Sequence, residues 1–255
     1  MTAKYLKICA FAVFSVLCAD PAFARDANHA RPTRADTKSK DSRVVALRAA
    51  SQADFAKLKN TQPAARAGWR DDGQPGPEWI TDLAVPTADA PTLEKRASDF
   101  LAQYPNLLGV DVRTLRPIGQ EGTRNRSVVR FLQFSDATAS ALPVLDAHVL
   151  VAFDRQNQVV SVTNAASLLR PFDLGQLSRA QAIEIALHVR SDAAKSARPA
   201  AQRVLECAQV LVSTPFITVH AWVLQVEGEQ RSDRDLLTID ATSGKVLSKH
   251  SMVVH

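Results

Sequence analysis

Histidine, cysteine and carboxylate side chains are the groups in this sequence best suited to metal binding or acid–base chemistry. The six histidines are scattered along the chain, and none belongs to the HExxH pattern that places two zinc ligands and a general base on one helical face. His148 and His220 fall within strand-like segments, where a hydrogen-bonded or exposed imidazole is commoner than a ligand or a base. The sequence also has no glycine-rich phosphate loop. We therefore expect no catalytic residue, no metal site and no cofactor, and we predict that the protein is not an enzyme.

Cys207 is the one cysteine that lies outside the first 24 residues. It sits among strand-like residues in "RVLECAQVLV", a context typical of a small buried hydrophobe rather than of a reactive thiol. A single thiol cannot form an internal disulfide, so the fold must be held together by its hydrophobic core.

Residues 1–24 have the pattern of a signal peptide. Lys4 and Lys7 give a positive start, Ile8–Ala19 an apolar stretch, and "AFA" at 22–24 a small-x-small cleavage site. The apolar stretch is shorter than the roughly 20 residues that a membrane-spanning helix needs. We therefore predict a mature chain that begins at Arg25, has no membrane span, and is exported to the periplasm or secreted.

The net charge of +5 is concentrated near the amino terminus. Residues 25–48 carry seven basic and three acidic side chains, whereas residues 49–255 carry 22 of each. Few large apolar residues occur in 25–42, so we predict a disordered basic leader there. Because the rest of the chain is balanced in charge, we do not expect it to bind nucleic acid.

Hydrophobic spacing predicts two successive groups of elements, each a helix followed by strands. Helices are predicted at 43–59, 91–104 and 177–189, with Pro91 in the first turn of the second and Ser178 capping the third. Residues 43–89 form a predicted N-terminal helix and a Gly/Pro turn region, whose role the sequence leaves open. Short turns between the strands favour antiparallel pairing. The predicted fold class is α+β, with two small domains that each pack a helix on an antiparallel sheet.

Four blocks of this sequence resemble, in the right order, the propeptide region of secreted zinc metalloproteases of the thermolysin and fungalysin type. "FLAQYPNLLGV" (100–110) and the Arg-Phe-x-Gln and Val-x-x-Val strands within 128–165 are similar to the fungalysin–thermolysin propeptide domain. "LSRAQAIEIAL" (177–187) and the strands within 220–250, with "DATSGKVL", are similar to a PepSY domain. The resemblance implies a cystatin-like propeptide domain at 90–172 and a PepSY-like domain with a C-terminal extension at 173–255. The catalytic domain of such proteases does not occur in this sequence.

Propeptides of this class are implied to assist folding of the protease domain and to block its cleft. The resemblance therefore implies a non-catalytic binder of a thermolysin-like zinc metalloprotease, acting as inhibitor, folding assistant, or both. One interface suffices for both roles, because a partner that binds only the native enzyme also stabilises it.

The segment "SKHSMVVH" at 248–255 is the candidate contact with that protease. We expect it to continue the last strand in extended form and to enter the substrate groove, where alternate side chains fill pockets. Met252, Val253 and Val254 suit a protease that prefers apolar side chains, and the imidazole or terminal carboxylate of His255 is placed to approach the zinc. A frayed end without a role is an equally weighted interpretation.

Three alternatives stay open at this point. The first alternative is a free-standing PepSY-type module that binds peptides or envelope components. The second is the propeptide part of a longer metalloprotease precursor. An enzyme whose catalytic groups converge only in space is the third and weakest alternative.

Overall fold

The computed structural model describes residues 41–87, 90–123, 126–193, 203–214, 216–227 and 233–253. In this part of the chain there are three α-helices and ten β-strands, a mixed α and β architecture with mostly antiparallel strand pairs. The predicted signal peptide and nearly all of the predicted leader lie outside these residues. The helices are α1 (Ser42–Thr61), α2 (Leu93–Gln103) and α3 (Arg179–Ala193), and the strands are β1 (Arg66–Trp69), β2 (Pro77–Thr81), β3 (Leu115–Thr123), β4 (Arg126–Phe134), β5 (Pro143–Phe153), β6 (Val159–Asn164), β7 (Arg203–Ser213), β8 (Thr218–Glu227), β9 (Asp233–Asp240) and β10 (Val246–Val253).

All three predicted helices form, and each begins at a side-chain cap. The Arg43 backbone N–H donates to Oδ1 of Asp41 at 2.9 Å at the start of α1. Ser178 and Gln181 form a reciprocal capping box at the start of α3: the Gln181 N–H donates to Ser178 Oγ at 3.3 Å and the Ser178 N–H donates to Gln181 Oε1 at 2.9 Å. The prediction for α2 is wrong by two residues. Thr92 caps this helix by accepting from the Lys95 N–H at 3.2 Å, so Pro91 precedes the cap and is not in the first turn.

By their internal contacts the described residues divide into two units, each considered by itself below. The first unit contains residues 41–141 and 146–168, and the second contains residues 142–145 and 169–253. The domain boundaries inferred from the resemblance, at 90 and 173, stay predictions.

In the first unit, the predicted Gly/Pro turn region contains the turn of a β-hairpin, at residues 70–76, and parts of both of its strands. Strands β1 and β2 pair antiparallel, with Gly68 opposite Trp79. The Trp79 indole lies over Gly68 so closely that a Cβ there would come within 2.3 Å of the ring. Glycine in a sequence often indicates a turn, but here its lack of a side chain permits close packing between two strands.

The core of the first unit joins the region 43–89 to the elements that follow it. Leu58 of α1 and Ile80 of β2 belong to the same buried cluster as Phe100 of α2 and Phe131 of β4. The predicted apolar stripe of α2 is confirmed. Its buried side chains are Ala97, Phe100 and Leu101, with Tyr104 just beyond the helix and Leu93 packed at the margin.

Three buried side-chain amides hold the extended segment after β6. The Asn164 amide donates to the carbonyls of Pro77 (2.8 Å) and Leu108 (3.1 Å) and accepts from the Ala166 N–H (3.0 Å). Gln133 exchanges two hydrogen bonds of 2.8 Å with the backbone of Ser167. Because buried backbone groups must be paired, these amides replace a strand partner along this stretch. The third amide belongs to Gln74, which accepts from the Leu168 N–H at 2.8 Å.

In the second unit, β7 to β10 form an antiparallel meander with α3 packed on one face. Ala182 and Ala186 of α3 are fully buried, and Ile183 and Leu187 are partly buried beside them, as predicted. The helix covers one side of the sheet, where it contacts a cluster made by alternate strand residues. That cluster consists of Cys207, Trp222, Leu224, Val226, Leu237, Ile239 and Ala241.

The turn between β9 and β10 has the geometry expected from "DATSG". Asp240 Oδ1 accepts from the N–H groups of Thr242 (2.7 Å) and Ser243 (2.9 Å), and Gly244 has φ of 72°. A side chain at position 244 would strain the left-handed backbone, which is why glycine is found there.

Candidate partner-binding surface

Strand β10 contains residues 248–253, six of the eight residues of the predicted contact segment. It extends to Val253, four residues past the predicted end of the strand at Lys249. Met252 and Val253 lie opposite Arg234 and Asp233 in the β9–β10 ladder. Val254 and His255 lie outside the described residues. The proposed role of these four residues in partner binding stays a prediction.

Asp235 anchors the C-terminal half of β10 to β9. This residue is 4 % exposed, and its carboxylate accepts from the Ser251 hydroxyl at 2.8 Å and is 3.4 Å from the Lys249 ammonium. A hydrogen bond to a buried charged group is stronger than one between neutral groups. The segment from 249 to 253 is therefore part of the sheet rather than a loose tail.

Glu227 forms a second charged anchor at the same end of the sheet. The guanidinium groups of Arg203 on β7 and Arg234 on β9 donate to its two carboxylate oxygens at 2.8 Å and 3.1 Å. Burial opposes ionisation of Glu227, but the two arginines outweigh it, and the pKa of this carboxyl lies below its usual value. The ion pairs link three adjacent strands, β7, β8 and β9.

Large apolar side chains are exposed at the opposite end of this sheet. The β7–β8 turn presents Phe216 and Ile217, which are 63 % and 57 % exposed. Thr214 fixes the turn, since its hydroxyl accepts from the Phe216 N–H at 3.3 Å and the Ile217 N–H at 3.1 Å. Exposed apolar groups on a fixed turn are typical of protein contact sites. Neither residue is among the predicted contact residues, although "STPFITV" has the pattern of a turn followed by two large apolar residues.

His220 of β8 is buried beside the segment that precedes α3. Its Nδ1 accepts from the Gly175 N–H at 2.9 Å, and the residue is only 3 % exposed. Burial lowers the pKa of the ring, and the nearby Asp240 carboxylate partly offsets the shift. The sequence predicted a strand histidine without a catalytic or ligand role but gave no sign of its contact with Gly175, which is 45 residues away.

Cys207 is buried, as predicted, and burial raises the pKa of its thiol against the opposing influence of Arg179. Within the described ranges, no group of three histidine, cysteine or carboxylate side chains is arranged to hold a metal ion. No described helix combines the length and the apolar character needed to cross a bilayer.

Comparison with known proteins gives no family for this chain. No family model matches the sequence, and no curated protein matches it. Among solved structures, the Bacillus megaterium YpeB C-terminal domain is similar, with 14% identity and a TM-score of 0.37 over 70% of this chain and 73% of that chain. A similarity this low carries no argument about fold or function, so the resemblance to metalloprotease propeptides remains a hypothesis.

Proposed function

We propose that the protein is an exported, non-catalytic binding protein that docks on a thermolysin-like zinc metalloprotease as inhibitor, folding assistant, or both. The observation that supports this proposal best is β10. Within the described residues this strand pairs with β9 on one side and stands last in the strand order. A strand paired on one side offers a row of backbone donors and acceptors with which another protein's strand can pair.

The contacts of Asp235 favour docking along an intact β10. Separating β10 from β9 would break the hydrogen bond of 2.8 Å from Ser251 to this buried carboxylate. A hydrogen bond to a charged group contributes about 1.5–3 kcal/mol. It is less costly for the protease to add a strand to the outer edge of β10 while β9 stays paired on the inner edge.

Docking in this way gives the predicted contact residues a defined position. Met252 and Val253 end the edge strand, and in the proposed complex Val254 and His255 enter the substrate groove. Side chains of a strand alternate between its two faces, so only every second residue enters a pocket of the protease. The same contacts would exclude substrate and stabilise the native enzyme, because the partner binds the folded form only.

The proposal is tested with the mature chain, residues 25–255, and the zinc metalloproteases secreted by the same cells. A variant that ends at His250 lacks the proposed groove residues. We expect its inhibition constant to rise at least about tenfold, equivalent to about 1.4 kcal/mol of lost contact. The full-length Ser251→Ala variant is the matched control. It removes only the hydroxyl bonded to Asp235, so its inhibition constant should rise much less.

The outcomes separate the parts of the proposal. Equal inhibition by the shortened and full-length chains would refute entry of 251–255 into the groove and leave docking through the rest of the chain. Improved refolding of the protease without inhibition would assign the role of folding assistant. If the mature chain binds peptides or envelope components but no metalloprotease, the free-standing PepSY-type alternative is correct. An adjacent coding sequence with HExxH in frame would identify the chain as part of a longer precursor.

A further inference from the structure

His220 makes a hydrogen bond that only an uncharged imidazole can make. Its Nδ1 accepts the Gly175 N–H at 2.9 Å, so the ring proton of the neutral form must be on Nε2. The Nε2 atom is buried and has no hydrogen-bond partner among the described residues. An imidazolium ring carries a proton on each nitrogen. At this position its Nδ1 proton would meet the Gly175 N–H, and its Nε2 proton would have no acceptor.

The segment that carries Gly175 is fixed to the second unit by a few further contacts. The Arg170 N–H donates to Thr218 Oγ1 at 2.9 Å. The Leu177 N–H donates to the Ala241 carbonyl at 2.9 Å, and the Trp222 indole N–H donates to the Leu177 carbonyl at 2.8 Å. These hydrogen bonds hold residues 169–178 along the start of β8 and the end of β9.

Close packing makes Gly175 unable to shift without disturbing its neighbours. A Cβ at this position would lie 2.2 Å from the Ala241 carbonyl carbon. Ala241 in turn donates its N–H to the His220 carbonyl at 2.9 Å. The imidazole, the glycine and the end of β9 therefore form one contact, in which a charged ring is accommodated only if the segment moves away and water enters.

We propose that His220 is a pH-sensitive latch, in which proton uptake by the imidazole releases residues 169–178 from the sheet of the second unit. The proton comes from solvent and binds at Nδ1 as the hydrogen bond from Gly175 opens. Water then accepts from both ring N–H groups. Release also moves Leu174, which is 68 % exposed in the closed form, and so changes the apolar surface of this unit.

The charges around the ring set the direction of the pH dependence. Burial is the largest influence on the pKa of His220 and lowers it from 6.5, while the Asp240 carboxylate at the end of β9 raises it partly. Arg170 and Asp173 of the segment and Arg179 of α3 are the other charged residues nearby in sequence. A histidine whose pKa is lower in the closed form stabilises that form above pH 6.5. This stabilisation is lost as the pH falls from 6.5 towards the pKa of the closed form.

Hydrogen exchange of the Gly175 and Leu177 amides tests the latch in the mature chain. Protection factors, corrected for the intrinsic pH dependence of exchange, are measured at several pH values between about 7.5 and 5. One linked proton predicts a loss of up to about tenfold in protection per pH unit below 6.5. His220→Asn places a carbonyl oxygen near the Nδ1 position without a titratable group. In this variant the corrected protection factors of the Gly175 and Leu177 amides should not vary with pH. The control variant His148→Asn, whose substitution lies in the first unit, should lose amide protection at low pH to the same extent as the wild type.

A second measurement keeps the test decisive if His220→Asn fails to fold. In the wild-type chain, the NMR signals of the His220 ring and the Gly175 amide should titrate with one shared midpoint below pH 6.5. Constant protection in the wild type, an unchanged pH dependence in His220→Asn, or two different midpoints would each overturn the latch.

Discussion

Replacing Gly175 by alanine tests the packing of the 169–178 segment against β9. The new Cβ would lie 2.2 Å from the carbonyl carbon and 2.3 Å from the carbonyl oxygen of Ala241. Relief of this overlap needs a displacement of at least about 1.3 Å, since unstrained carbon contacts are about 3.5–4 Å. Such a shift stretches the hydrogen bonds to His220 (2.9 Å), from Leu177 (2.9 Å) and from Trp222 (2.8 Å) beyond bonding distance.

Loss of these three hydrogen bonds sets the expected magnitude. At about 1 kcal/mol each, the free energy of unfolding should fall by about 3 kcal/mol, the upper end of the usual range for overpacking. The assay is urea denaturation of the mature chain followed by circular dichroism. Gly119→Ala is the matched control, because Gly119 lies in β3 with no atom within 4 Å of its added Cβ. Equal denaturation midpoints for the two variants would refute the close approach to Ala241.

Two further predictions concern buried polar groups. Asn164→Ala removes three hydrogen bonds of 2.8–3.1 Å, and should lower the free energy of unfolding by about 3 kcal/mol in the same urea assay; a change below about 1 kcal/mol would contradict the described role of this amide. The pKa of Glu227 is lowered in the folded chain, so its pairing with Arg203 and Arg234 stabilises the fold above the unfolded-state pKa of about 4.3. This stabilisation is lost as the pH falls through the lower folded-state pKa. Glu227→Gln should therefore unfold at lower urea than wild type at neutral pH, with the difference shrinking below about pH 4.3; a difference that is independent of pH would show that ionisation of Glu227 is not involved.

Local sequence patterns were sufficient to predict where the helices and most strands lie. The stripe from Leu93 to Tyr104 and the Ser178 cap depend on residues a few positions apart, which a linear reading captures. The same holds for the turn at Gly244, where the need for positive φ restricts the residue type.

Predictions were wrong or incomplete where long-range contacts decide the conformation. Gly68 lies in a strand opposite Trp79, whose ring occupies the space that a side chain at position 68 would need. Glycine content alone cannot indicate this contact. The last four residues of β10 are paired because buried Asp235 on β9 binds Ser251. The contact of His220 with Gly175 joins residues 45 positions apart. No periodicity or motif connects such pairs, so the sequence could not reveal this part of the candidate site.

Association with a metalloprotease tests the central claim most directly. The chain of residues 25–255 is mixed with purified thermolysin-like zinc metalloproteases of the same organism, and complex mass and residual peptidase activity are measured together. Our account predicts a discrete complex with one of these proteases and a matching change in its activity or refolding yield. Failure of the folded chain to associate with any of them would contradict the account.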